Sequence, residues 1–269
     1  GDFASFNQNC QDTTRKVAEV LTAAGVDFGI MGKKEKSAGN DARRAGEEGL
    51  FEVLAEQNIE ILEKCDFEEI FTTDPHTFNT LKNEYPDKGG NYTVKHYSTL
   101  LLELIQSGDI ELKKKLDIKA TYHDPCYLGR YNGIYDDPRD VMELCGIDLV
   151  EMPRNKENSF CCGAGGGRVW LPDHEDMTQR PSENRIEEAV SVGVNNFTVA
   201  CPKDMTMYSD AAKTSGNEDT MAVKDIIDFV LEAMDLPEEV EEPEPIAEEV
   251  VPVENTSESI DKNVSGDEE

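Results

Sequence analysis

Helical and strand-like segments alternate along most of the chain, and this alternation limits the folds that it can adopt. Apolar residues recur at helical spacing in 12–24, and the following VDFGIM (26–31) has the pattern of a strand. A long amphipathic segment at 45–65 precedes EEIFTTD (68–74), a short strand pattern that Pro75 ends. Such alternation is typical of a parallel sheet covered by helices, so we predict an α/β protein.

The second half of the chain repeats this plan. IKATYHDPC (118–126) has the pattern of a strand that runs into a loop, and DDPRDVMELCGIDLVEM (136–152) that of a helix followed by a strand. RIEEAVSVGVNNFTVACP (185–202) indicates a further helix and strand, and MAVKDIIDFVLEAM (221–234) a closing helix.

Short motifs also recur in the same order in both halves, which indicates an internal duplication. AGVDFGIM is similar to CGIDLVEM, EKSAGNDARR aligns with SFCCGAGGGR, and TTDPHTFNTL aligns with VACPKDMTMY. The repeat pairs the following residues: Asp2 with Cys126, Ser37 with Cys161, Ala38 with Cys162, Gly39 with Gly163, Asp74 with Cys201, and Thr77 with Asp204. We therefore predict two similar lobes, 1–112 and 113–236, each a small mostly parallel sheet with flanking helices.

Charge and composition set the C-terminal segment apart. Residues 237–269 contain 13 acidic residues and one lysine, and we predict a disordered acidic tail. The whole chain carries a net charge of −31, with 26 Lys and Arg against 57 Asp and Glu. Because this charge repels phosphates, nucleic acid is excluded as a partner.

Cysteine usage favours a reducing compartment. The seven cysteines are an odd number, and no secretory signal peptide precedes them, so we expect a cytoplasmic protein. The longest apolar stretch, around 100–105, is short and contains Glu103, so it does not predict a membrane span. The chain opens with Gly1 rather than Met, and we expect any membrane anchor to lie ahead of it.

Four cysteines in the second half are placed where predicted strands end. Cys126, the adjacent pair Cys161 and Cys162, and Cys201 each fall where a strand runs into a loop. The carboxyl ends of parallel strands share one edge of a sheet, so these four sulfurs are expected to converge. Thiolates at this density suit an iron–sulfur cluster or zinc.

The spacing of these cysteines favours a cluster over zinc, because no C-x2-4-C pair is present. Glycines 163 and 165–167 let the backbone approach a bulky inorganic core, and the N–H of Gly163 is a candidate donor to it. Three alternatives remain open: zinc, buried cysteines that bind nothing, and a metal-free thiol–disulfide site at Cys161 and Cys162. Cys65 and Cys145 are expected to be core or surface thiols.

With these motifs in place, the chain resembles the cysteine-rich CCG-domain family. That family includes the catalytic subunits of heterodisulfide reductases and iron–sulfur subunits of glycerol-3-phosphate, lactate and succinate oxidoreductases. Its motif of a Cys, a CCG and a CxxC appears as HDPC, FCCGAGGGR and ACPKD. Over about residues 1–235, the chain looks like the heterodisulfide-reductase-like oxidoreductases that link electron-transfer flavoprotein to quinone.

The resemblance implies an iron–sulfur oxidoreductase subunit that relays electrons through one cluster, of the 4Fe-4S type, in the second lobe. Its ligands would be Cys126, Cys161, Cys162 and Cys201. It also implies redox partners: a flavoprotein such as electron-transfer flavoprotein, a ferredoxin-like domain, or a quinone-facing membrane domain. These would place a cytoplasmic chain peripherally on the cytoplasmic membrane. No separate catalytic residue is assigned.

The chain also departs from the family pattern. Asp2, Ser37, Asp74 and Thr77 stand where the first lobe of family members usually has cysteines, so we predict no cluster there. In the second lobe Asp204 replaces the last cysteine of CxxC. Three outcomes follow: a cubane cluster on four cysteines, an altered cluster with Asp204 as an oxygen ligand, or a degenerate site. The last would make the chain a non-catalytic scaffold or interaction subunit.

Other polar residues give less specific signals. His123 is interpreted either as a donor or proton carrier at the cluster or as an ordinary loop histidine. Arg130 and Arg168 either compensate the cluster's negative charge or form surface salt bridges. His76 lies in the lobe without cysteines and is interpreted as vestigial.

Overall fold

The computed structural model describes residues 2–8 and 10–236, and the predicted acidic tail at 237–269 lies outside them. The helices are α1 (Asp2–Phe6), α2 (Gln11–Ala23), α3 (Asn40–Arg44), α4 (Glu48–Leu62), α5 (Pro75–Asn79), α6 (Tyr97–Ser107), α7 (Asp136–Cys145), α8 (Pro181–Ser191), α9 (Pro202–Thr214) and α10 (Ile226–Met234). The strands are β1 (Ile70–Thr72), β2 (Val94–His96), β3 (Ile118–Tyr122), β4 (Ile147–Leu149), β5 (Asn196–Val199) and β6 (Ala222–Asp225).

The strands form two small sheets, and every pairing in them is parallel. The first half contributes the pair β1-β2, and the second half a four-stranded sheet of order β4-β3-β5-β6. In that sheet Ala120 lies opposite Leu149, and Tyr122 opposite Thr198. Helices pack on these strands, so the predicted α/β class, with two small parallel sheets, is confirmed.

Two elements of the structure differ from the sequence-based prediction. VDFGIM forms no strand, although its Phe28 ring packs edge-on against Phe71 at 6.4 Å between centroids. Val26 and Phe28 pack against the core without a strand partner, and Ile30 is exposed. The segment predicted as one closing helix begins instead with the edge strand β6. Its Asp225 then caps α10 by accepting the N–H of Ile227 at 3.0 Å.

The main hydrophobic core contains residues from both halves of the chain. Leu21 and Leu101 of the first half pack in one cluster with Tyr122, Val141 and Phe229 of the second. Residues 2–236 accordingly form one compact unit in the described part of the chain. The boundary that we place between residues 112 and 113 stays a prediction.

Replacing Gly39 with alanine will destabilise the protein more than the same change at Gly108. Both residues have a φ of +87°, so both variants carry the backbone strain of a left-handed residue. A β-carbon on Gly39 would also lie 2.7 Å from Phe51 Cδ2, whereas Gly108 faces open space. We expect Gly39→Ala to lower the free energy of unfolding by roughly 1–3 kcal/mol more than Gly108→Ala. Equal urea midpoints for the two variants would contradict this.

Candidate metal centre

A cleft at the carboxyl edge of the four-stranded sheet brings the four predicted cysteines together. Cys126, Cys161, Cys162 and Cys201 all line this cleft, which has about 270 Å³ of empty space including its open mouth. The convergence of the three loops is therefore confirmed. The role of the four sulfurs as ligands stays a prediction.

The sheet explains why the loops meet. Cys126 lies in the loop after the central strand β3, and the Cys161–Cys162 pair lies in the long loop after β4. Cys201 follows β5 and occupies the N-cap position of α9, with Pro202 as its first helical residue. Because all three strands run in the same direction, their carboxyl ends present these sulfurs on one side.

Backbone N–H groups donate to the two adjacent sulfurs. Gly163 donates to Cys161 Sγ at 3.3 Å, and Ala164 donates to Cys162 Sγ at 3.4 Å. Such bonds stabilise negative charge on sulfur, so they fit thiolate ligands of an iron–sulfur cluster. Gly163 thus donates to the sulfur of Cys161, and the contact of Gly163 with a cluster stays a prediction.

The glycine-rich loop packs against the first half of the chain. A β-carbon on Gly165 would lie 3.5 Å from His76 Cε1, and one on Gly166 would lie 3.8 Å from Arg44 Cβ. Trp170 follows the loop and donates from its indole N–H to Asp41 Oδ2 at 3.2 Å. These glycines therefore allow close contact between the two halves of the chain. From the sequence, they were interpreted only as room for an inorganic core.

The protonation of the four thiols is uneven. The neighbouring Cys162 thiol is the main cause that lowers the pKa of Cys161 below its usual value. The same interaction, together with burial, raises the pKa of Cys162 well above its usual value. Burial raises the pKa of Cys126 to about 11 and also raises the pKa of Cys201 well above its usual value. Cys161 is therefore the most acidic of the four thiols, and metal binding would displace the protons of the others.

Asp204 lies in the cleft with an oxygen that lacks a hydrogen bond. Its side chain is buried, and burial raises the pKa of Asp204 to about 7. Asp204 Oδ2 has no hydrogen-bond partner among the described residues, and His123 Nε2 is 3.6 Å away. A buried oxygen without a partner, beside four sulfurs, fits a site that takes a metal ligand at this position.

His123 is buried and neutral at the inner end of the cleft. Arg185 donates to its Nδ1 at 3.4 Å, so the proton of the ring is assigned to Nε2, the nitrogen facing Asp204. Burial, Arg185 and Arg130 hold the pKa of His123 well below its usual value. The position of His123 in the cleft supports its interpretation as a hydrogen-bond donor at the site. Its hydrogen bonds to Arg185 and Tyr208 are those of a buried histidine with a structural role.

The two candidate arginines lie in different surroundings. Arg130 lines the cleft, donates to the carbonyl of Ser159 at 2.6 Å, and contributes to lowering the pKa of Cys161. Arg168 instead forms a salt bridge with Asp173 at 2.9 Å and donates to the carbonyl of Leu171 at 2.7 Å. Charge compensation is thus available from Arg130, and Arg168 forms the surface salt bridge.

Sequence analysis missed two buried residues at the junction of the halves. His76, interpreted as vestigial, lines the cleft, and burial followed by the charge of Lys203 lowers the pKa of His76 to about 4. Lys203 is only 2% exposed and donates to Asp41 Oδ1 at 2.6 Å. The repeat contained a signal for both, since DPHT and CPKD place His76 opposite Lys203.

Local geometry supports the register of the repeat. Gly39 donates to Ser37 Oγ at 3.2 Å, as Gly163 donates to Cys161 Sγ, and the φ angles of the two glycines are +87° and +85°. Asp74 caps α5 as Cys201 begins α9, each followed by a proline. The first half thus keeps the turns of the second with oxygen in place of sulfur. The side chain of Asp2 lies outside the part of the chain that the structure describes.

A comparison with protein families finds one model, the CCG cysteine-rich domain, matching twice, at residues 4–82 and 120–205. The chain is also similar to curated proteins. It is 40% identical over 235 residues to the probable iron-sulfur-binding oxidoreductase FadF of Bacillus subtilis, covering 87% of this chain and 33% of that protein. It is 36% identical over 240 residues to the EtfAB:quinone oxidoreductase of Syntrophomonas wolfei, covering 87% of this chain and 34% of that protein.

A third relative is one of the subunits of the dihydromethanophenazine:CoB--CoM heterodisulfide reductase of Methanosarcina barkeri. It is 32% identical over 230 residues, covering 81% of this chain and 54% of that protein. The chain therefore spans about a third of the length of the first two relatives and about half of the third. Within the described residues, no helix combines the length and apolar character that crossing a membrane requires.

In metal-free protein, Cys161 will react with iodoacetamide with a pH midpoint below the usual thiol value of 9.0. Cys162→Ala will raise this midpoint, because it removes the neighbouring thiol that stabilises the Cys161 thiolate. Mass spectrometry of the Cys161 peptide measures the rate at each pH. The control Cys65→Ala changes an exposed thiol and will leave the midpoint in place. An unchanged midpoint in Cys162→Ala would contradict the stabilisation of the Cys161 thiolate by Cys162.

Proposed function

The chain belongs to the CCG cysteine-rich domain family, and we propose that it is an electron-transfer iron–sulfur subunit of a heterodisulfide-reductase-like oxidoreductase. The observation that carries this proposal is the convergence of Cys126, Cys161, Cys162 and Cys201 on one cleft. Relatives whose names include iron-sulfur-binding oxidoreductase and EtfAB:quinone oxidoreductase support the same role.

The four cysteines would hold one cluster of the 4Fe-4S type, with Asp204 as a candidate oxygen ligand. A cluster bound here supplies a one-electron carrier whose potential depends on net charge, burial and hydrogen bonds to sulfur. The backbone amides of Gly163 and Ala164 stabilise the thiolates, and Arg130 adds positive charge at the same cleft. Burial of Cys162 and Cys201 keeps water from their sulfurs.

We further propose that the first half holds no cluster. Its side chains at the equivalent positions are used in local structure: Ser37 accepts the N–H of Gly39, and Asp74 accepts from the His76 N–H and the Thr77 hydroxyl. Burial opposes ionisation of Asp74, but His76 and Lys203 hold its pKa below the usual value. Serine and threonine are poor replacements for thiolate ligands of iron.

The partners that fit this role are other redox subunits: a flavoprotein such as electron-transfer flavoprotein, and a ferredoxin-like or quinone-facing membrane domain. The name of the Syntrophomonas wolfei relative supports the flavoprotein and the quinone. Binding to such a domain would place this chain on the cytoplasmic face of a membrane.

A redox titration followed by low-temperature electron paramagnetic resonance tests the proposed function. We expect anaerobically reconstituted protein to give a signal that appears and disappears reversibly with one electron. The replacement of a family cysteine by Asp204 favours a second candidate, a non-catalytic scaffold subunit. It predicts a folded, colourless protein without any signal, and that result would reject electron transfer.

A further inference from the structure

His76 of the first half reaches the cleft that the second half builds. Its ring lines the cleft and packs against Tyr127 at a tilt of 45°, with 4.5 Å between ring centroids. One nitrogen of His76, one oxygen of Asp74 and the sulfur of Cys201 all lie within 4.8 Å of one another, and all three residues are buried. A histidine nitrogen therefore lies close to a predicted cluster ligand.

Neighbouring hydrogen bonds determine which ring nitrogen carries the proton. The Thr80 hydroxyl donates to the His76 carbonyl at 2.9 Å and accepts from Asn40 Nδ2 at 3.3 Å. The amide of Asn40 is thereby oriented with Oδ1 facing His76 Nδ1, at 3.1 Å. An oxygen acceptor there requires a proton on Nδ1, so Nε2 retains its lone pair. Histidine ligands of metals typically have their second nitrogen fixed in this way.

The distances are compatible with a shared iron. Each iron of a cubane cluster has one terminal position, so a shared iron requires the altered cluster, in which one iron would take two protein ligands. A thiolate and an imidazole on one such tetrahedral iron would lie roughly 3.6 Å apart, given bonds of about 2.3 and 2.1 Å. A ring nitrogen of His76 and the sulfur of Cys201 lie within 4.8 Å of each other. A side-chain adjustment of about 1 Å would bring both onto one iron.

A separate metal ion on Asp74, His76 and Cys201 is less consistent with the charges. Lys203 interacts electrostatically with both Asp74 and Cys201, and its ammonium would repel a bare dication there. Both oxygens of Asp74 already accept hydrogen bonds, at 2.9 and 3.0 Å. A thiolate-bound cluster is anionic and tolerates the nearby ammonium.

We propose that His76 Nε2 is a ligand to an iron of the cluster, supplied by the first half to the cleft of the second. This inference rests on the proposed function and adds a nitrogen to a ligand set in which Asp204 replaces a cysteine. A neutral imidazole among thiolate ligands raises the reduction potential of a cluster relative to thiolate ligands alone. It also makes cluster binding depend on contact between the halves, with Asn40 as the positioning residue.

Pulsed electron paramagnetic resonance of reduced protein labelled with ¹⁵N-histidine tests this proposal. We expect a nitrogen hyperfine coupling strong enough for direct ligation, absent in His76→Ala and retained in His174→Ala, which changes an exposed histidine. Asn40→Asp keeps an oxygen acceptor for Nδ1–H and will retain the coupling, whereas Asn40→Leu will weaken or lose it. Where His76→Ala does not fold, the comparison of Asn40→Asp with Asn40→Leu decides the question, because Asn40 contacts the ring of His76.

The possible outcomes separate the two proposals. A cluster signal without a strong histidine coupling, or a coupling that persists in His76→Ala, would overturn ligation by His76 and leave the proposed function in place. Folded protein without iron or sulfide would overturn both.

Discussion

Cys201→Ser will lose most of its bound iron. The sulfur of Cys201 is buried at the N-cap position of α9, where it lines the cleft. Changing residues that only support a metal ligand costs about 10- to 100-fold in metal affinity, so removing a ligand should cost at least as much. Serine keeps the shape of the side chain, and we expect the fold to remain.

Cys145→Ser is the matched control for this experiment. Cys145 is also fully buried, but it packs in the core shared by both halves rather than in the cleft. This variant will lose stability and keep its iron when measured at a temperature at which it is folded. Equal iron contents in Cys201→Ser and Cys145→Ser would contradict the assignment of Cys201 as a ligand.

Lys203→Met will produce a large loss of stability. The Lys203 ammonium is nearly inaccessible to water, pairs with Asp41 at 2.6 Å, and interacts with the buried carboxylate of Asp74. Removing one partner leaves an uncompensated buried charge, which typically costs about 3–5 kcal/mol. Urea unfolding of the metal-free protein measures this loss, and it should appear as a lower midpoint with a similar slope.

Two further variants make this prediction specific. Lys64→Met removes an exposed lysine that pairs with Glu60 at 2.9 Å, and we expect little change in its midpoint. Asp41→Asn combined with Lys203→Met removes both partners and should recover part of the loss. A midpoint for Lys203→Met equal to that of Lys64→Met would show that the buried ammonium does not stabilise the junction of the halves.

The elements with local signals were predictable from sequence. Parallel strands joined by helices follow from the period of the apolar residues, and β3 and β5 place Cys126 and Cys201 at one edge whatever the details of the loops. The paired cysteines of the glycine-rich loop join them because β4 lies beside β3 in the same sheet. Convergence of the four sulfurs was thus predictable from strand direction, and the order of the strands in the sheet accounts for it.

Features that depend on distant contacts were not predictable in this way. VDFGIM has the composition of a strand, but no neighbouring strand pairs with it, and β6 was hidden in a helical pattern because Asp225 both ends the strand and caps α10. The roles of His76 and Lys203 depend on packing between halves, as in the contact of Lys203 with Asp41, 162 residues away. The repeat aligned these residues with each other but did not reveal that each lies at the junction.

The most direct test of the account is the amount of iron and acid-labile sulfide bound by the anaerobically prepared chain. We predict about four of each per chain, as in one 4Fe-4S cluster, with Cys201→Ser near background. Folded wild-type protein with neither iron nor sulfide would contradict the account.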